Sequence, residues 1–206
     1  PGVFMARHSV PARVIIWAMA TRTRPVKVGS VIVGGGHRPP VQTMWKEPLR
    51  ADGLSGTADR VRRLAALGCD ILRFSTPDLE QAELLGALAG MVDIPLVADV
   101  HFDWRIALRC MDFPIAKIRV NPGNLGEPWK LREVAAKASD RGVPIRIGVN
   151  AGSLPADLRE EPDRANAIVT AAEREVAALD ELGFGAVIVS MKASGVVDTV
   201  SANRLF

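Results

Sequence analysis

VPIRIGVNAGS, residues 143–153, sets the pattern for the whole chain. Val143, Ile145, Ile147 and Val149 alternate with Pro144, Arg146, Gly148 and Asn150, the period of a strand, which places Arg146, Gly148 and Asn150 on one face. Two other apolar runs carry an arginine in the middle, CDILRFST (69–76) with Arg73 and AKIRVNPGN (116–124) with Arg119. A fourth, AVIVSMKAS (186–194), ends on Lys192. Strands this rich in Val, Ile and Leu read as parallel and covered on both faces. A guanidinium in such a place is costly unless an anion meets it. Clustered cations also repel, a pair about 4 Å apart by roughly 4 kcal/mol at an effective dielectric near 20. A phosphate or diphosphate is the expected counter-charge.

The flanking sequence repeats one unit. VKVGSVIVGGG (26–36) reads as a hairpin ending in a glycine-rich turn, and PPVQTM (39–44) as a short first strand. TADRVRRLAALG (57–68) is helical in period, with Val61, Leu64, Ala65 and Gly68 on one face and Gly68 as the stop. After CDILRFST come a helix over DLEQAELLGALAGM (78–91) and a strand over IPLVADVHF (94–102). Asp103 is placed to cap the helix WRIALRCM (104–111). EPWKLREVAAKASDRG (127–142) is the next helix, with Pro128 in its first turn. Near 166–182, Ile168, Ala172, Val176, Leu179 and Leu182 share one face of another.

Alternating strands and helices point to a parallel sheet with right-handed crossovers. An open doubly wound sheet and a barrel both begin this way. Polar residues at the C-terminal ends of nearly all the strands favour the barrel. The expected fold is α/β, a TIM-type (β/α)8 barrel truncated after about six units and occupying residues 25–206. Residues 1–24 are expected to be a non-native or disordered extension, because the chain opens on Pro1 and Met19 reads as a more natural start. At the other end an amphipathic helix is just beginning at Phe206.

Composition narrows the function. A 206-residue chain with 48% hydrophobic and 24% charged residues is long enough for a proper core. A net charge of +3 and the absence of tyrosine argue against a nucleic-acid surface. The apolar run Val14–Ala20 is too short to span a bilayer. Arg7, His8 and Arg13 imitate a signal peptide's basic region, but no cleavage site follows. Cys69 and Cys110 form neither a disulfide framework nor a metal motif and read as small buried hydrophobes. A reducing, cytoplasmic setting is expected, with no membrane partner.

Alternation sorts the candidate site. Asp99 and His101 share a face, as do Arg119 and Asn121. One such arginine is explained by a salt bridge to a neighbouring helix. Three arginines and Lys192 at equivalent places, with Asp99 the one clear strand-end acid, point to a bound anion instead. Asp99 and His101 suit substrate hydroxyl binding or proton transfer, with a two-ligand metal pair or a buried structural histidine as alternatives. Gly34–Gly36 lacks the phosphate-loop pattern and reads as a turn. The loops Asn121–Asn124 and Asn150–Ser153 are expected to turn backbone N–H groups toward an anion. His8 and His37 are given no role.

VQTM, DILRFS, PLVADVHFD followed by RIAL, IRVNPGN, PIRIGVNAGSL and SMKAS, in that order, resemble the barrel domain of the 4-hydroxy-3-methylbut-2-enyl diphosphate synthases. The resemblance runs from about residue 25 to the end. It implies reductive ring opening of methylerythritol cyclodiphosphate in non-mevalonate isoprenoid synthesis. It further implies diphosphate binding by Arg73, Arg119, Arg146 and Lys192, orientation by Asn121 and Asn150, and contact of Asp99 and His101 with the erythritol part. The family uses a four-iron, four-sulfur cluster held in a C-terminal domain by three cysteines and a carboxylate. That domain is expected to be absent here, since no CxxC occurs. Flavodoxin or ferredoxin as electron donor, a homodimer when full length, and no turnover by this stretch alone are also implied. VQTMWKEPL and Gly195 in KASGVVD depart from the family pattern and leave loop details open. A pterin-binding barrel of the dihydropteroate synthase type and a non-catalytic phosphate-binding module are the alternatives.

Overall fold

The computed structural model describes residues 23–206. The expected extension over 1–24, with the apolar run Val14–Ala20, lies outside the described residues except for Thr23 and Arg24.

Six parallel strands form one sheet in the order β3-β4-β5-β6-β7-β8. They are β3 (Gln42–Trp45), β4 (Ile71–Ser75), β5 (Leu96–Asp99), β6 (Lys117–Val120), β7 (Ile145–Asn150) and β8 (Val187–Lys192). Each strand pairs with the next in the chain and the order never reverses. That is the winding of a barrel, since a doubly wound sheet contains a point where the strand order turns back. β3 and β8 are the edges, so the described sheet is an open arc of six strands.

Helices α1 (Leu54–Ala66), α2 (Leu79–Ala89), α3 (Trp104–Cys110), α5 (Pro128–Arg141) and α6 (Arg164–Asp180) fill the crossovers, and α7 (Val196–Leu205) follows β8. A single turn, α4 (Pro122–Leu125), precedes α5. Asp103 caps α3, its carboxylate accepting from the Arg105 amide at 2.9 Å. Gly142 ends α5 in the left-handed conformation at φ 63°. Cys69 departs from expectation: it lies before β4 rather than opening it and is only half-buried, while Cys110 is fully buried.

The period of two divides each strand between two environments. Leu72 and Phe74, Leu96 and Ala98, Ile118 and Val120, and Ile145 and Ile147 pack with Leu85, Leu88, Val134, Ile168 and Leu179 from the helices in one continuous core. The other face of the sheet turns inward, toward the barrel axis. At its N-terminal end the apolar residues Ile71 and Val97 meet the hairpin of β1 (Val26–Val28) and β2 (Val31–Val33). Val28 is fully buried there, which stabilises by about 1.5–3 kcal/mol. Gly29 makes the hairpin turn at φ 57°, and a Cβ on it would press on Pro95 and Ala116, the residues leading into β5 and β6. The hairpin therefore covers the N-terminal end of the inward face, opposite the C-terminal strand ends.

Close approach outside the barrel depends on Gly86. A Cβ on this α2 residue would overlap the Phe113 ring. Gly86→Ala is expected to lower stability by about 1–3 kcal/mol through overpacking, read as a lower urea midpoint with an unchanged slope.

Candidate polyanion site

The inward face carries charge one turn of the pleat above its apolar floor. Ladder register pairs Asp99 with Arg119 and Arg119 with Arg146, and one row nearer the floor pairs Arg73 with Val97 and Val97 with Lys117. Four adjacent strands thus deliver Arg73, Asp99, Lys117, Arg119 and Arg146 to one interior.

Asp99 is the centre of the cluster and only 3% exposed. Arg119 Nη1 donates to its Oδ1 at 3.2 Å, and Arg73 Nε lies 3.5 Å from its Oδ2. His101 approaches the same carboxylate, Nε2 to Oδ1, at 3.4 Å. Arg119 Nη1 is also 3.2 Å from His101 Nδ1. A guanidinium only donates, so Nδ1 accepts and the imidazole proton sits on Nε2, facing Asp99.

The other two cations have neutral partners. Arg146 Nη2 donates to Ser190 Oγ at 2.7 Å, and Lys117 Nζ to Gln42 Oε1 at 2.9 Å. Burial, then the charges of Arg73 and Arg119, push the Arg146 guanidinium below its usual range, with Asp99 opposing. Burial, reinforced by Arg146 and Arg73, lowers Lys117 to about 8. Beside these two groups lies a cavity of about 320 Å³ whose walls include Gln42, Lys117, Arg146, Ser190 and Val33. Among the described residues, four interior cations face one carboxylate.

Gly148 shows how the cluster is fitted. A Cβ there would come within 2.9 Å of Arg119 Nη2 and 3.0 Å of Nε. The Arg119 guanidinium occupies the space a side chain would take.

Arg73, Asp99, His101, Arg119 and Arg146 are therefore brought together as expected. Arg146, the second residue of β7, lies in register with Arg119 and through it with Asp99, while Arg73 lies one row nearer the floor. Asn150 and Lys192 face each other in register at the C-terminal ends of β7 and β8, both exposed, at the rim. In each of the two loops one amide is engaged internally: the Gly152 amide donates to the Asn150 side-chain Oδ1 at 3.2 Å, and the Asn124 amide to the Asn121 carbonyl at 2.9 Å. Lys117, Gln42, Gly148 and Ser190 were not singled out from the sequence as site residues. Lys117 was within reach, standing two residues before Arg119 in the same alternation. Gln42 and Ser190 required the barrel to be wound.

Among the described residues no group of three or more His, Cys, Asp or Glu is arranged to hold a metal ion. No described helix is long and apolar enough to cross a membrane.

Consecutive parallel β/α units around a cation-rich interior make this a TIM-barrel domain. It belongs to the family of the GcpE TIM-barrel domain, whose profile matches residues 23–206. The 4-hydroxy-3-methylbut-2-en-1-yl diphosphate synthase (flavodoxin) of Treponema pallidum is 46% identical over 215 residues, covering 96% of this chain and 53% of that protein. The synthase of the same name from Geobacter sulfurreducens is 46% identical over 189 residues, 91% of this chain and 53% of its own length. The chain thus spans about half the length of these relatives. Among solved structures, the dihydropteroate synthase from Xanthomonas albilineans in complex with 7,8-dihydropteroate superposes with a TM-score of 0.64 over 87% of this chain and 69% of that one, at 15% identity. The likeness is one of barrel fold alone.

Gly148→Ala separates site from scaffold. The added methyl displaces the far end of a flexible side chain, so stability is expected to change by less than about 1 kcal/mol. Arg119 is pushed off its position, and affinity for a diphosphate ligand is expected to fall by about tenfold, measured by calorimetric titration beside thermal unfolding.

Proposed function

We propose that this domain binds methylerythritol cyclodiphosphate and orients it for two-electron reductive ring opening to 4-hydroxy-3-methylbut-2-enyl diphosphate. The observation that carries this reading is the excess of largely buried cations over carboxylates on the inward face of the sheet. A cluster of that kind is relieved by a ligand bearing two phosphoryl charges. The relatives' name supplies the particular diphosphate.

In this reading Arg73, Arg119 and Arg146 hold the diphosphate. Each now spends donors on contacts that phosphate oxygens can replace, such as Met44 Sδ at 3.0 Å from Arg73 Nη2 and the Ser190 hydroxyl on Arg146. Lys192 and the side-chain NH2 of Asn150 reach the ligand from the rim, with Asn121 beside them. Asp99 fixes Arg73, Arg119 and the His101 tautomer, and His101 Nε2–H with the Asp99 carboxylate meets the hydroxyl-bearing part of the ligand. The site's work is binding, orientation and the placing of one proton, all in positions set before the ligand arrives.

The iron-sulfur cluster implied by the family finds no ligands among the described residues. Cys110 is fully buried with its thiol pushed up to about 12 by burial, and Cys69 donates to the Ile71 carbonyl at 3.2 Å near the barrel floor. No step is therefore assigned to a cluster on these residues. Flavodoxin, carried in the relatives' name, is the proposed electron donor, and a cytoplasmic homodimer the proposed setting of the natural protein. A pterin-synthase activity has only the barrel fold in its favour.

Titration of methylerythritol cyclodiphosphate into the protein tests the reading. Arg146→Ala removes a buried cation from the anion's contacts and is expected to weaken binding on the order of 100-fold. A folded protein that takes up no cyclodiphosphate overturns the substrate assignment.

A further inference from the structure

Lys117 is the most deeply buried cation of the cluster, 3% exposed, and the only one whose hydrogen-bond partner lies on a strand three places away. It is the first residue of β6, and its side chain crosses Val97 and β4 to reach Gln42 on β3. No carboxylate among the described residues pairs with it. The charged groups that act on it are Arg146 from β7 and Arg73 from β4, and both repel it. Gln42 from β3 is neutral, and Val97 from β5 is apolar. A buried ammonium with one neutral acceptor and two like-charged neighbours opposes folding, and an apolar side chain of the same length would remove that opposition.

The direction of the repulsion is informative. Arg146 sits in the row with Asp99 and Arg119, one step nearer the mouth than Lys117, and Arg73 lies across Val97 in the same row as Lys117. A positive charge one row below Arg146 drives that guanidinium away from the floor, and the same charge opposes any lean of Arg73 across Val97. Asp99, one row higher, draws Arg73 the same way. The floor beneath is an apolar cluster of Val28, Ile71 and Val97, which offers a guanidinium no hydrogen-bond acceptor.

We propose that Lys117 is a positioning residue of the diphosphate site: without touching the ligand, its charge holds Arg73 and Arg146 toward the barrel mouth, where the phosphoryl groups bind. This rests on the diphosphate reading above. It predicts an unusual combination, a residue whose charge harms stability and helps binding.

The test compares Lys117→Met and Lys117→Arg in the protein at its full natural length, by chemical denaturation and by calorimetry with methylerythritol cyclodiphosphate. Lys117→Met is expected to be as stable as the wild type or more so, and to bind about tenfold more weakly. Lys117→Arg is expected to restore most of the affinity. A pH series adds a readout that packing alone does not move. Each phosphorus of the cyclic ligand keeps one strongly acidic oxygen, so ligand charge is constant across the series. The Lys117 charge is present below its lowered value and lost above it, so wild-type affinity falls between about pH 7 and about pH 9, and that component is missing in Lys117→Met.

Equal affinity and equal pH profiles in wild type and Lys117→Met overturn the proposal. So does a Lys117→Met protein that is markedly destabilised, which marks a structural ion. If Arg146→Ala loses the ligand while Lys117→Met keeps it, the diphosphate reading stands and only the positioning role falls. If the wild type binds no cyclodiphosphate, both fall together.

Discussion

Everything in this domain's interior depends on how one carboxylate is shared. Asp99 meets Arg73, Arg119 and His101 within 3.5 Å, in an environment where its own side chain is 5% exposed. At that distance and an effective dielectric near 20, each opposite charge contributes on the order of 4–5 kcal/mol of attraction, against similar repulsions between the cations. Two guanidiniums brought this close without the carboxylate would move apart or draw in water. With it both stay on the inward face, each within 3.5 Å of the same carboxylate. Arg146 and Lys117 have no carboxylate of their own among the described residues and rest on a hydroxyl and an amide oxygen. The arrangement is stable enough to fold and still electrostatically incomplete, which is the condition for binding an anion well.

The scaffold makes that incompleteness directional. The β1–β2 hairpin closes the N-terminal end with valines, and the helices cover the outer face with a continuous aliphatic layer. Above an apolar floor and inside an apolar wall, the upper row of charged side chains lies toward the C-terminal strand ends. Gly148 contributes to this as much as any charged residue. By presenting no side chain it lets the Arg119 guanidinium lie across β7, where both Asp99 and His101 can reach it. Such positions cost little at the moment of binding, because the reorganisation was completed when the barrel folded.

A barrel of this kind serves many chemistries, and the likeness to dihydropteroate synthase at 15% identity illustrates it. Those enzymes and this family share the winding of the strands. What distinguishes this chain is which residues the inward alternation presents, arginine in mid-strand on β4, β6 and β7. Function here is written in the interior positions of the strands as well as in their loops.

The sequence by itself determined the alternation of strands and helices, the barrel-like winding, the presence of a hairpin within residues 26–36, and most of the cation cluster. These follow from periodicity, since a strand with apolar residues on both faces and one arginine announces which face carries the arginine. Arg73, Asp99, His101, Arg119 and Arg146 were all legible in that way. Tertiary structure decided three things the periodicity could not. It set Asp99, Arg119 and Arg146 in one row with Arg73 and Lys117 in the row below, because strand register sets depth and register is a property of pairs. It engaged the Gly152 amide with the Asn150 side chain and the Asn124 amide with the Asn121 carbonyl, contacts set by how each loop winds after its strand. And it joined Lys117 to Gln42 across β4 and β5, a contact between residues 75 positions apart that exists only once the sheet curls far enough to bring non-adjacent strands within reach of a lysine.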